Sequence, residues 1–175
     1  MAHRYEELII DIPDYPEPGV VFKDVTPAFA DAEAFKALVD DLANHFKGRG
    51  ITKVMGAEAR GFIVGAAVAY ALEAGFVPAR KPGKLPREAV SESYELEYGT
   101  DSLEIHADAL SADDVVLIVD DLVATGGTAA AMAALVQKCG AHLAGMGFFM
   151  ELSFLQPREA IAKPTDAEVF SLVTV

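Results

Sequence analysis

Two adjacent acids and a run of small residues form the part of this 175-residue chain best suited to chemistry: Asp120 and Asp121, then Leu122 and Val123, then Ala124, Thr125, Gly126, Gly127 and Thr128. Glycines let a turn bring backbone N–H groups together, and the first turn of a following helix adds unpaired donors and the positive end of its dipole. Such a cradle holds a phosphate. Two carboxylates cannot face that phosphate without repulsion. Asp120 and Asp121 are therefore expected either to accept hydrogen bonds from hydroxyls of the same ligand or to hold a divalent cation, and a sugar phosphate is the economical ligand. The segment is not a Walker A loop, because no Gly-Lys-Ser/Thr follows, nor a dinucleotide fingerprint, which needs G-x-G-x-x-G.

Two further groups carry the opposite charge. Four of the fourteen basic residues, Arg80, Lys81, Lys84 and Arg87, lie within eight positions of one another in a chain of net charge −13. An acidic protein that handles anions has to gather its cations at the site, and the same net charge argues against non-specific nucleic-acid binding. Arg60, in the stretch Glu58-Ala59-Arg60, can grip an oxyanion with two parallel bonds, although a salt bridge with Glu58 is the alternative.

These residues need elements to position them. Val115 to Val119 is a continuous apolar, β-branched-rich run, the pattern of a strand covered on both faces, and it delivers the acids at a carboxyl end, where open α/β sheets bind ligands. Ala129 to Lys138 reads as a helix that stops at Gly140. A strand over Ile51 to Gly56 and a helix over Gly61 to Ala74 put Glu58 to Arg60 at a second strand-to-helix junction. A strand over Phe76 to Ala79 leads into RKPGKLPRE. Tyr94, Leu96 and Tyr98 alternate with Glu95 and Glu97 before a turn at Gly99 to Asp101, and Leu103 and Ile105 alternate after it, which is a hairpin pattern suited to a lid. Asp31 N-caps a helix with Phe35, Leu38, Val39, Leu42 and Phe46 on its stripe, while His45 falls off the stripe and reads as solvated. A strand over His142 to Met150 with close-packing Gly145 and Gly147, a short helix over Pro157 to Ala162 and a strand over Glu168 to Val173 complete a parallel α/β core. Pro13, Pro16, Pro18 and Pro27 confine residues 1–30 to an extended arm with a brief strand at Val20 to Phe22.

The stretch VVLIVDDLVATGGT resembles the phosphoribosyl-diphosphate (PRPP) motif of type I phosphoribosyltransferases, and EARGF resembles the pyrophosphate loop of the same family. PGVVFKD, RKPGKLPRE and LEYGTDSLEI resemble, more narrowly, the adenine-specific branch. The resemblance implies a single domain over 1–175 with the type I fold, a mostly parallel central sheet flanked by helices, with an N-terminal hood over about 1–30 and a hairpin lid over about 86–106. It implies conversion of adenine and PRPP into AMP and pyrophosphate with Mg²⁺, in a homodimer. By it, Phe22 stacks on the base and the backbone at Val21 and Lys23 reads the adenine edge. Ala124 to Thr128 hold the 5′-phosphate, and Asp120 and Asp121 hold the ribose hydroxyls, with Mg²⁺ near them as a further option. Glu58, Ala59, Arg60, Arg80, Lys81 and Lys84 attend pyrophosphate, and Glu97, beside Tyr98, manages the purine proton. Phosphoribosyltransferases for hypoxanthine, xanthine or orotate, and a non-catalytic PRPP-sensing regulator, share the opening motif and are the alternatives.

The totals set the remaining expectations. Gly61 to Leu72 is the longest strongly apolar stretch and is too short to span a bilayer. No secretory signal is visible at the amino terminus, so a cytoplasmic location is expected. Cys139 stands alone, which excludes an intramolecular disulfide and a multi-cysteine metal site.

Overall fold

The computed structural model describes residues 5–96 and 99–175. Its elements run β1 (Ile10–Pro13), β2 (Val21–Asp24), α1 (Thr26–Ala30), α2 (Ala32–Phe46), β3 (Lys53–Ala57), α3 (Arg60–Ala71), β4 (Gly75–Ala79), β5 (Ala89–Glu95), β6 (Thr100–His106), β7 (Val115–Val123), α4 (Gly127–Lys138), β8 (His142–Glu151), α5 (Pro157–Ile161) and β9 (Val169–Thr174). Strands β4, β3, β7, β8 and β9 form, in that order, a five-stranded parallel sheet. The α/β architecture expected from the alternating pattern is the one observed.

The apolar run of β7 explains why the sheet is covered on both sides. Val116 and Ile118 point into a core shared with α4, Leu103 and Ile105, whereas Leu117 and Val119 point into a core shared with α2 and α3. All four are fully buried. The strand does not stop at Val119. It continues through both acids to Val123, because its pairing with β8 persists to Val123↔Glu151. Asp120 and Asp121 are thus built into the rigid end of a central strand and not into the loop after it.

Asp31 caps α2 as expected, its side chain accepting from the Ala34 N–H at 2.9 Å. Gly145 and Gly147 of β8 do allow close packing: a Cβ on either would come within 2.6 and 3.0 Å of the Phe46 ring. His45 departs from its reading as solvated. Its ring lies flat on Phe170 with centroids 3.6 Å apart, and its Nε2 is 2.7 Å from Glu168, so β9 and the residue just before it supply partners that helical periodicity could not reveal.

Two smaller sheets flank the core. β1 and β2 pair antiparallel in the amino-terminal arm, from Ile10↔Asp24 to Pro13↔Val21. β5 and β6 form the expected hairpin, from Ala89↔His106 to Glu95↔Thr100. Its root belongs to the fold: Leu103 and Ile105 are buried, Val90 and Tyr94 pack on the same core, and Arg80 and Glu104 exchange backbone hydrogen bonds at 2.8 and 2.7 Å. A lid over the whole of 86–106 is therefore too wide a reading, since both strands are fixed along their inward faces. Among the described residues, no helix is long and apolar enough to cross a membrane.

Candidate active site

The site forms where β3, β4 and β7 end on the same edge of the sheet, and each strand end contributes a different charge. After β7, residues 124–128 wrap a cavity of about 120 Å³ that Asp120 and Phe148 also line. Gly126 makes the turn with φ +85° and serves as the N-cap residue of α4. No side chain fits there, because a Cβ would collide with the carbonyl oxygen of Pro157 and lie 3.1 Å from its Cα. Backbone N–H groups at the helix start remain as the lining donors, the arrangement that binds a phosphate.

The acid pair is arranged asymmetrically. Asp120 Oδ1 accepts from the Asp121 N–H at 2.8 Å and lies where a Cβ on Gly61 would be only 2.5 Å away, so glycine at the start of α3 is what admits this carboxyl. Desolvation first, and then the neighbouring Asp121 carboxylate, push the Asp120 carboxyl well above the usual carboxylate range. Asp121 is 4% exposed and meets Arg60, with Nε 2.7 Å from Oδ2. The approach is poorly angled, and Oδ2 is left without a hydrogen bond. A buried acceptor with an unspent lone pair is thereby held beside Arg60 at the end of β7. The Glu58–Arg60 bridge weighed from sequence is not formed; Arg60 turns to Asp121 and also lies over Phe22, 5.6 Å from the ring centroid.

Glu58 organises the cations. Its carboxylate accepts from the Lys81 backbone N–H at 2.6 Å and from Lys84 Nζ at 2.7 Å, with Arg80 Nε 3.5 Å away. The hydrogen bond from Lys84 is the main reason its carboxyl is held below the usual range. The peptide between Glu58 and Ala59 is cis. Arg80 Nε is buried and has no hydrogen-bond acceptor. The Lys81 ammonium is ion-paired with Asp101 and donates to the Tyr94 hydroxyl at 3.2 Å, while Thr128 Oγ1 lies 3.5 Å from that same hydroxyl. Tyr94 thus connects the cation loop to the cradle. Arg87 leaves the group, pairing instead with Asp108 at 2.5 Å.

A model of the phosphoribosyl transferase domain family matches residues 27–168. The chain belongs to this phosphoribosyltransferase family. An adenine phosphoribosyltransferase of Pectobacterium atrosepticum is 57% identical over 151 residues, covering 86% of this chain and 82% of its own. The solved adenine phosphoribosyltransferase of Thermoanaerobacter pseudethanolicus superposes with a TM-score of 0.92 at 47% identity, covering 98% of both chains. That of Saccharomyces cerevisiae, solved with adenine and an imino-altritol bisphosphate, superposes at 0.88 with 41% identity over 96% of both chains.

In this phosphoribosyltransferase, Asp120, Asp121, the 124–128 cradle and Glu58 to Arg60 gather at one sheet edge, with Arg80, Lys81 and Lys84 reaching it from β4. Phe22 joins them through Arg60. Val21 is about half exposed on β2, and Lys23 holds Asp11 across the strand pair at 2.6 and 2.8 Å, so its side chain is engaged within the arm. Glu97 and Tyr98, named from the sequence, lie outside the described residues. Three contributors escaped the sequence reading. Gly61 gave no signal beyond its place after Arg60, Asp101 looked only like a turn residue, and Tyr94 looked only like part of a β alternation.

Proposed function

We infer that this phosphoribosyltransferase makes AMP and pyrophosphate from adenine and PRPP, acting in purine salvage. The observation that carries the reading is the convergence, on one sheet edge, of a phosphate-sized backbone cradle, a buried unspent carboxylate acceptor and a set of cations that includes a buried donor without an acceptor. The relatives' specificity for adenine supports the choice of base.

In this reading the cradle takes the 5′-phosphate, so binding energy far from the reacting carbon orients the sugar. Asp121, with Asp120 beside it, accepts from the ribose hydroxyls and offsets positive charge as the ring becomes oxocarbenium-like. A purine ring nitrogen forms a bond to the anomeric carbon while the bond from that carbon to the diphosphate oxygen breaks. Both electrons of the broken bond leave with pyrophosphate, and Arg60, Arg80, Lys81 and Lys84 stabilise that charge. Glu58 holds the cation loop in place, since its own charge would repel the leaving group. The proton on the purine imidazole passes to a base, for which Glu97 is the proposed residue.

Among the described residues, no three His, Cys, Asp or Glu side chains converge to hold a metal. Mg²⁺ commonly keeps several waters and binds through one or two carboxylates plus substrate phosphates, and the donors here fit that pattern, with Asp120 and Asp121 as the carboxylates on offer. Bound in that way, Mg²⁺ would neutralise charge on the diphosphate.

The arm supports base recognition through its backbone. Among the described residues β2 pairs only with β1, so its other edge is free to offer N–H and C=O groups to a purine, beside Phe22. Ile63 and Tyr70, two turns apart on one face of α3, are 47% and 88% exposed; a second copy covering them would make the proposed homodimer. A cytoplasmic location belongs to the same reading. The test is pyrophosphate release with PRPP, Mg²⁺ and each purine in turn: adenine is expected to support turnover, and faster turnover of hypoxanthine would reject adenine as the substrate.

A further inference from the structure

Beyond the cradle, α5 poses a question of its own. A helix of five residues cannot sustain itself in water, and its N-cap residue Gln156 has φ +53° and makes no side-chain cap. Its position is nevertheless tightly fixed. Arg158 Nε and Nη2 each donate to a different oxygen of Glu151 at 2.8 Å, and Nη1 donates to the Val169 carbonyl at 3.1 Å. Glu151 is 3% exposed, accepts also from Ser171 Oγ at 2.7 Å, and is built into β8 between Val123 of β7 and Thr174 of β9. The helix is bolted to the sheet by its second residue.

Its first residue is what touches the site. Pro157 presses its backbone against Gly126, leaving no room for a Cβ, so α5 backs the turn of the cradle from behind. One continuous connection runs from the central sheet through Glu151, Arg158 and Pro157 to Gly126. A cradle of N–H donors works only if its backbone is held to within about half an ångström, and that precision has to come from residues behind it. An ion pair with one partner open to solvent contributes little net stability, but a two-bond arginine fixes direction. Arg158 holds the Glu151 carboxyl below the usual carboxylate range, so the pair stays charged at neutral pH.

We propose that Glu151 and Arg158 are positioning residues for the phosphate cradle, setting affinity for PRPP without touching it. The inference rests on reading the cradle as the 5′-phosphate site. It separates PRPP binding from base binding, because α5 contacts the cradle and the arm carries the base.

The test compares wild type, Arg158→Leu, Arg158→Lys and the double variant Glu151→Leu/Arg158→Leu, which leaves no buried charge unpaired and guards against misfolding of the single variant. Calorimetric titration with PRPP and Mg²⁺, without base, is expected to show Kd raised about tenfold in both leucine variants, the scale seen when an outer partner of a ligand-holding group is lost. Arg158→Lys should fall between, since lysine replaces the two-bond fork with a point charge. In steady state, KM for PRPP should rise while KM for adenine and kcat stay close to wild type. A folded double variant with wild-type PRPP affinity overturns the proposal, whatever its melting temperature. Wild type that binds PRPP yet makes no AMP would reject adenine as the substrate and leave the proposal standing.

Discussion

At the residue scale, the acid pair shows how a site can conflict with the fold that carries it. Asp120 is desolvated beside another carboxylate, and its carboxyl is pushed well above the usual range. A carboxyl raised in the folded chain favours folding below the unfolded Asp value of about 4, and that contribution is lost as pH rises through the raised value. Asp120→Asn keeps an acceptor for the Asp121 N–H and removes the charge. Its melting temperature without ligand should therefore exceed that of wild type near neutral pH, and the gap should shrink as pH falls toward about 4; an equal gap at both ends would mean that Asp120 is not raised. Asp121→Asn removes charge-assisted bonds at the sugar and should lower kcat by about tenfold or more. Unchanged kinetics would take Asp121 out of the reaction. The residue types of both acids were legible in the sequence, whereas the Arg60–Asp121 contact was not, because its partners come from different strand ends and only the sheet order brings them together.

At the scale of elements, the clearest sequence signals came from segments whose pattern is set by burial on both sides. β7 and α4 were legible for that reason, and so was Gly140 at the helix end, where φ is +72°. The end of β7 was misjudged because charge at Asp120 looked like a stop, while pairing with β8 carries the strand to Val123. The role of α5 had no local signal at all, since the exposed Arg158 meets the buried Glu151 only through the β8–β9 layer. Two substitutions test these packings. Gly145→Val forces a branched side chain against Phe46 and should cost about 1–3 kcal/mol in chemical denaturation with PRPP binding by the folded fraction unchanged; no loss of stability would show that the ring can move aside. Gly126→Ala places a Cβ against Pro157 in a left-handed turn and should weaken PRPP binding more than it lowers stability. A melting temperature that collapses with PRPP affinity intact would make Gly126 a purely structural turn.

At the scale of the whole molecule, three strand ends and an amino-terminal arm divide one substrate pair among them. The cradle after β7 suits the phosphate, the loops after β3 and β4 suit the diphosphate, and the free edge of β2 beside Phe22 suits the base. A net charge of −13 makes the local cation set more pointed, because the rest of the surface repels the same ligands. The general sugar-phosphate character of the site could be read from DDLVATGGT and the proposed division of labour from family resemblance, but the convergence of the segments at one edge required the sheet order. The central claim is that this edge transfers the phosphoribosyl group to adenine in particular. Its most direct test is kcat/KM for AMP formation from PRPP and adenine with Mg²⁺, measured against IMP formation from hypoxanthine under the same conditions. A site that reads the exocyclic amino group by hydrogen bonding should favour adenine by at least about 100-fold, and a ratio near one, or in favour of hypoxanthine, would contradict the account.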